Sequence, residues 1–288
     1  MTYKLAIGDR MYSSWSLRGW LLFEPFDVHV NVRMAFMKTP DFSTVLEEFQ
    51  PSLLVPAMRN GDVVVWDSLA MAETLAEDHP DAGYWPTDPA QRAMARSMAA
   101  EMHSGFTALR NACPMNLRQT YVGFEPDAAV LADIARLERL WALPNIEGPW
   151  LFGSFSVVDA FFAPVAARLA GYDLPMSDFA RAYVKTHLAN PHFRRWRAMA
   201  FAADMKRPNY EFDLAHTDWT GPKVLPAKPV ENVTTINSTC PYSGKEIAPN
   251  SLAEINGRYV GFCNQFCRDK SVADAEAWPK LMDLLETA

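Results

Sequence analysis

Two groups of side chains in this 288-residue sequence have types and spacings suited to chemistry. The first is Ser13, Ser14 and Ser16 in the stretch Tyr12-Ser13-Ser14-Trp15-Ser16-Leu17-Arg18; the second is Cys240, Cys263 and Cys267. The serine stretch follows the apolar run Leu5-Ala6-Ile7 and a Gly8-Asp9 turn signal, and opens into an apolar-rich run from Leu17 to Phe23. It reads as strand, loop and helix N-terminus. A helix start presents unpaired backbone N–H groups and a partial positive charge, and the serines add hydroxyl donors, so the stretch suits a thiolate or a carboxylate. The competing use of such a serine is a plain N-cap.

Between Cys240 and Cys263 lie 22 residues, and between Cys263 and Cys267 lie three. Thiolates at these spacings suit zinc or another soft cation. A block of about fifty residues has a small core, so a metal staple also has a thermodynamic motive. A structural zinc site takes four protein ligands and only three cysteines are at hand; Asp269, a residue from elsewhere in the chain, or water are candidates for the fourth place. The alternative is three buried, reduced thiols. Cys113 stands alone and reads as core.

Bulk composition narrows the partners. The net charge is -7, with 49% hydrophobic and 21% charged residues, and there is no Lys/Arg run to neutralise phosphates. A small-molecule partner is expected, with neither nucleic acid nor membrane. Met1-Thr2-Tyr3-Lys4 leads straight into a strand without a signal-peptide pattern, and no run approaches the ~20 apolar residues of a membrane span. Four cysteines are too few for a disulfide framework, and the expected location is the cytoplasm.

The elements that must hold the serines come next. Val28 to Val32 alternates like a strand, and Val45-Leu46-Glu47-Glu48-Phe49 reads as a short helix. Val55 to Arg59 and Val63 to Trp66 flank Asn60-Gly61, a hairpin signal, and Asp67-Ser68 caps a helical run that Pro80 stops. The expectation is a β-α-β-α-β-β unit over 1–82. Asp88-Pro89 then starts a long helix from Ala90 to Arg110, followed by helical patterns near 127–142, 157–170, 178–189 and 192–204, giving an all-α domain over 88–206. Ser156-Val157-Val158-Asp159 has a capping-box layout before Ala160-Phe161-Phe162-Ala163, which marks a buried helix. Residues 207–236 are polar and carry Pro208, Pro222, Pro226 and Pro229, as in an extended linker, and 237–288 forms the cysteine-bearing module.

This order of parts resembles the glutathione transferase superfamily over residues 3 to 205. Ser13-Ser14-Trp15-Ser16-Leu17-Arg18 resembles the zeta-class Ser-Ser-Cys-Ser-x-Arg, with Trp15 where that class has Cys. Val55-Pro56 is similar to the family's Val-Pro before the third strand, Asp67-Ser68 to its acidic-Ser pair, and Ser156 to Asp159 to its capping box. The resemblance implies a thioredoxin-like α/β domain plus an all-helical domain and a homodimer. It also implies glutathione as cosubstrate, activated by Ser13 or Ser14, for attack on a small electrophile or for a maleylacetoacetate-type isomerisation. Val55 and cis Pro56 would pair with the cysteinyl backbone of glutathione, and Asp67 and Ser68 would hold its γ-glutamyl group. Ser68 is equally suited to a plain N-cap and Pro56 to an edge strand. Arg18 would pair with an acid or orient the site. His103, Phe106 and Arg110 share roughly one face of the long helix and could line a second-substrate cleft, suited to an acidic compound where His103 and Arg110 face it; the other reading puts Met102 and Phe106 in the core and makes His103 a satisfied buried histidine. Cys240-Pro241-Tyr242-Ser243-Gly244-Lys245 and Gly261 to Cys267 resemble the small YHS and TRASH-type metal modules. A noncatalytic transferase-fold scaffold for a metal-sensing or metal-carrying module is the alternative function.

Overall fold

In a computed structural model, which describes residues 2–203 and 206–287, the chain divides into two compact units. One comprises Met1–Leu188 with Arg207–Thr220, the other Ala189–Lys206 with Gly221–Ala288. This cut differs from the expected one. The helix near 192–204 falls in the second unit, and the expected 207–236 linker is divided between the two.

The first unit begins with β1 (Tyr3–Ile7), α1 (Ser14–Trp20), β2 (Val30–Met34), α2 (Asp41–Glu47), β3 (Ala57–Asn60), β4 (Val63–Trp66) and α3 (Ser68–Asp78). The sheet order is β2-β1-β3-β4, with β1 and β2 parallel and the remaining pairs antiparallel. Asn60-Gly61 does make the hairpin, with Gly61 at φ +59°, a conformation that costs glycine nothing. The Val55–Pro56 peptide is cis, and Gly19 lets α1 approach it: a Cβ on Gly19 would stand 2.7 Å from the Pro56 Cβ. This is the thioredoxin-like layout.

The helical part holds α4 (Pro89–Ser104), α5 (Thr107–Ala112), α6 (Ala128–Trp141), α7 (Val157–Gly171) and α8 (Asp178–Ala189). Asp88 caps α4 by accepting from Gln91 N at 2.9 Å. The expected single helix from Ala90 to Arg110 is in fact two. It stops at Gly105, where a Cβ would lie 2.7 Å from the Glu101 carbonyl oxygen, and Phe106 then turns the chain at φ 56°. So His103 and Arg110 sit on different helices. Every residue of α7 is buried, and its start is the expected capping box: Ser156 N donates to Asp159 Oδ2 at 2.9 Å. A short ribbon of β5 (Thr120–Tyr121) and β6 (His216–Thr217) ties the segment 207–220 to this unit.

The second unit packs α9 (Pro191–Ala203) with a three-stranded antiparallel sheet, β7 (Ala227–Val230), β8 (Leu252–Ile255) and β9 (Arg258–Gly261), and with α10 (Gln265–Ala273) and α11 (Pro279–Thr287). Arg194 on α9 grips Asp274 through two hydrogen bonds of 2.7 Å, which explains why this helix keeps company with the C-terminal block. Ala253, Ile255, Val260, Phe262 and Leu281 make its core. No helix among the described residues is long and apolar enough to cross a membrane.

Candidate functional site

The loop after β1 delivers three serines into three different environments. Ser13 caps α1: its Oγ accepts from Ser16 N at 3.2 Å and donates to Ser16 Oγ at 2.8 Å. Ser16 is fully buried, and its Oγ also accepts from Gly8 N at 2.9 Å, so it braces the loop rather than facing a ligand. Ser14 differs. Its Oγ accepts from Arg168 Nη2 at 3.4 Å, and among the described residues no hydrogen bond takes its proton. Both Ser13 and Ser14 border a cavity of about 390 Å³, together with Tyr12, Trp15, Arg110 and Arg168.

Electrostatics around this cavity are unusual. Arg168, on the otherwise apolar α7, is buried, and its Nη1 donates to the Pro164 carbonyl at 3.3 Å. Arg18 is buried too, with its guanidinium 3.9 Å from the Trp15 ring centre, and Arg110 lies 5.0 Å from the same ring. Among the described residues, Arg18 Nε and Nη1 and Arg168 Nε have no hydrogen-bond partner. Burial, then repulsion from Arg110 and Arg168, brings Arg18 down to about 9; burial, then Arg110, brings Arg168 down to about 10. Three guanidiniums thus converge on the serine loop. Such a group favours an anion, because a bound negative charge relieves both the desolvation and the mutual repulsion.

The expected glutathione residues stand just before β3 and at the start of α3. Asp67, at φ 75°, caps α3 by accepting from Leu69 N at 2.8 Å and meets His103 Nε2 at 3.0 Å. Ser68 is fully buried, yet its Oγ has no partner among the described residues. An orphaned buried hydroxyl is costly, and a ligand carboxylate or ammonium would satisfy it. Val55 borders the cavity. His103 packs edge-on against Trp15 at 5.2 Å, and burial first, opposed by Asp67, lowers its pKa. Phe106 is buried and does not border the cavity, so it belongs to the core, whereas Arg110 does border it. Arg168 was not among the sequence-derived candidates. A charged residue inside a fifteen-residue buried run is the signal that could have found it.

The three cysteines meet in the second unit. Cys240 lies in a turn closed by Gly244 N donating to Cys240 O at 2.9 Å, Cys263 follows β9, and Cys267 sits in the first turn of α10. Their sulfurs all lie within 4.8 Å of one another, and Cys263 and Cys267 are 3.9 Å apart. Tetrahedral zinc with Zn–S bonds of roughly 2.3 Å requires S···S separations of about 3.8 Å, so the donor set fits a soft cation. Burial pushes the Cys240 thiol up, but the backbone N–H groups of Cys263, Tyr242 and Ser243 and the Ser243 hydroxyl outweigh it, bringing the group down to about 7. Asp269 is held by Arg268 at 2.7 Å, and no His, Asp or Glu joins the cluster among the described residues.

Comparison with known proteins agrees with the fold. Residues 12–78 match the glutathione S-transferase N-terminal domain family. A probable maleylacetoacetate isomerase of Caenorhabditis elegans is 27% identical over 175 residues, covering 59% of this chain and 80% of that protein. Glutathione S-transferase 1 of Dianthus caryophyllus is also 27% identical, over 165 residues, with 54% and 72% covered. A crystal structure of a glutathione transferase homolog from Burkholderia with bound glutathione aligns at TM-score 0.54 and 20% identity, covering 71% of this chain and all of that one. The chain carries the glutathione transferase fold, and its first domain matches that family's N-terminal domain.

Proposed function

We propose that the chain is a zeta-like glutathione transferase in which Ser14 activates the thiol of glutathione. The observation that carries this is the Ser14 hydroxyl, free to donate, at the N-terminus of α1 and on the wall of the cavity. The thiol of glutathione has a pKa of roughly 8.5, so a donor at a helix N-terminus is needed to favour the thiolate at neutral pH. Val55, Pro56, Asp67 and Ser68 bind the peptide, the Val55 backbone pairing with it as an added strand. Arg168 also contacts Ser14, which favours the anionic side of the reaction and an electrophile that carries a carboxylate. Arg110 and His103 both pack against the Trp15 ring of the serine loop.

The chemistry is nucleophilic. The thiolate sulfur forms a bond to an electrophilic carbon; where a leaving group departs, the thioether is the product. Where the carbon belongs to a double bond, addition, rotation and elimination return glutathione and an isomer, the class of reaction named for the nematode relative. Reaction of glutathione with a panel of neutral and carboxylated electrophiles tests this reading. Absence of glutathione-dependent turnover with every member would overturn it.

The cysteine cluster supports a second element of the proposal: Cys240, Cys263 and Cys267 hold zinc or another soft cation, with the fourth position left to a small ligand. A metal there would add folding free energy to a small unit. A homodimer acting in the cytoplasm is part of the same reading, supported by the resemblance of the sequence to the transferases.

A further inference from the structure

The segment Arg207–Thr220 lies beyond the stretch that resembles a transferase, yet it folds against the serine loop. Arg207 donates to Asp9 Oδ1 through Nε at 3.2 Å and Nη2 at 2.9 Å, while Asp9 Oδ2 accepts from Met37 N at 3.0 Å. The pair is largely shielded, with side-chain exposures of 15% and 4%. Arg207 N donates to the Tyr12 hydroxyl at 3.3 Å, and that hydroxyl donates to Glu211 at 2.9 Å. Farther along, Phe212 N donates to the Tyr121 hydroxyl at 3.2 Å, Val122 N donates to Ala215 O at 2.7 Å, and β6 pairs with β5. The strap is therefore pinned at both ends. Between the pins, Tyr210 packs at a tilt against Tyr12 with ring centres 4.9 Å apart and planes 33° from parallel, its carbonyl accepts from Asn116 Nδ2 at 3.2 Å, and it borders the same cavity as Ser14.

We propose that Tyr210 is a specificity-determining wall of the second-substrate cavity, held in place by the Arg207–Asp9 and Tyr12–Glu211 contacts, and that it selects small electrophiles with a flat apolar face. The inference rests on the transferase reading and deepens it. Tyr12 cannot both donate to Glu211 and serve as thiol donor, which leaves that task to Ser14 and gives Tyr12 the task of carrying the strap. The buried Asp9 carboxylate joins three pieces: the strap through Arg207, the chain after β2 through Met37 N, and the serine loop to which it belongs. Met37 and Phe42, which follow β2, also border the cavity, so the strap and this part of the lining share one anchor. A ring packed against another ring, on a backbone held by a hydrogen bond, presents a defined wall, and such a wall discriminates by shape. The Tyr210 ring, rather than its hydroxyl, does this.

The test uses the full chain and a graded series of electrophiles at saturating glutathione. Tyr210→Ala is expected to raise the KM of the smallest aromatic electrophile tenfold or more, to leave the KM of glutathione within twofold, and to shift kcat/KM toward bulkier members. Tyr210→Trp is expected to shift the profile the opposite way, and Tyr210→Phe to keep the wild-type profile. Should the alanine variant fail to fold, the tryptophan and phenylalanine variants still decide. Identical size profiles in wild type and Tyr210→Trp would overturn the inference while leaving the transferase reading intact. A wild type that turns over no electrophile would overturn both.

Discussion

Arg168 Nη2 stands 3.4 Å from Ser14 Oγ, across 154 positions of sequence. The contact joins the fully buried α7 to the first residue of α1, and it brings a guanidinium to the place where the proposed thiolate would form. The capping box at Ser156 and Asp159 sets the start of α7, so the same device that begins the helix fixes where Arg168, three turns later, projects.

If Arg168 receives the anionic end of the electrophile, Arg168→Leu lowers kcat/KM for a carboxylated electrophile by roughly ten- to a hundredfold, the weight of one charged hydrogen bond. The matching methyl ester should change little. Arg168→Lys should recover part of the loss. Equal losses for acid and ester in steady-state kinetics would show that Arg168 only supports the fold.

Gly19→Ala places a Cβ 2.7 Å from the Pro56 Cβ, with no flexible side chain to yield. A loss of about 1–3 kcal/mol in stability is expected from overpacking, together with a raised KM for glutathione because the Val55-Pro56 strand end shifts. Denaturant melts and the KM ratio check both. An unchanged KM would separate this contact from peptide binding.

Much of this site was legible in the residues themselves. The serine loop, Val55-Pro56, Asp67-Ser68 and the capping box are local patterns, each set by turn or helix-start chemistry within a few residues. After Pro89 the Ala and Met content carries the helical period past Gly105; only the approach of the Glu101 carbonyl shows why the helix ends there. The placing of α9 rests on Arg194 meeting Asp274, 80 residues on, and no periodicity carries such a contact. The polar stretch after residue 206 reads as a linker for the same reason: its order comes from Arg207, Tyr210 and Glu211 meeting Asp9 and Tyr12.

His187 gives the first unit an acid sensitivity. It is fully buried, its Nε2 has no partner among the described residues, and burial lowers its pKa from 6.5 to about 3. Because the folded state refuses the proton that the unfolded chain takes up below about pH 6.5, this stability is present above that pH and is lost as pH falls toward 3. Between pH 7 and pH 5 the loss is about 2 kcal/mol. Asp159, raised by burial to about 6, acts the other way in the window from 3.8 to 6, since its folded form holds a proton more readily. Melts of His187→Leu and wild type at the two pH values should differ, the variant showing about 2 kcal/mol less loss; parallel losses would contradict this.

For the cysteine centre, purified protein is expected to contain one equivalent of a soft metal, and a chelator should abolish hydrogen-exchange protection in 238–288 while leaving β1 to β4 protected. Cys263→Ser should lower the metal content. Full protection after chelation, with no metal by elemental analysis, would make the three thiols core residues.

Ser14, and not Ser13, is the residue proposed to activate the thiol. Ultraviolet difference titration of bound glutathione measures it directly, by following thiolate absorbance against pH. In wild type the bound thiol is expected to titrate below roughly 8.5. Ser13→Ala should keep that value while costing about 1 kcal/mol in stability through the lost N-cap. Ser14→Ala should raise it and slow turnover by an amount corresponding to ~2.7–4 kcal/mol, as when a single donor to a developing anion is removed. A Ser14→Ala titration that coincides with wild type, or an upward shift confined to Ser13→Ala, would contradict the account.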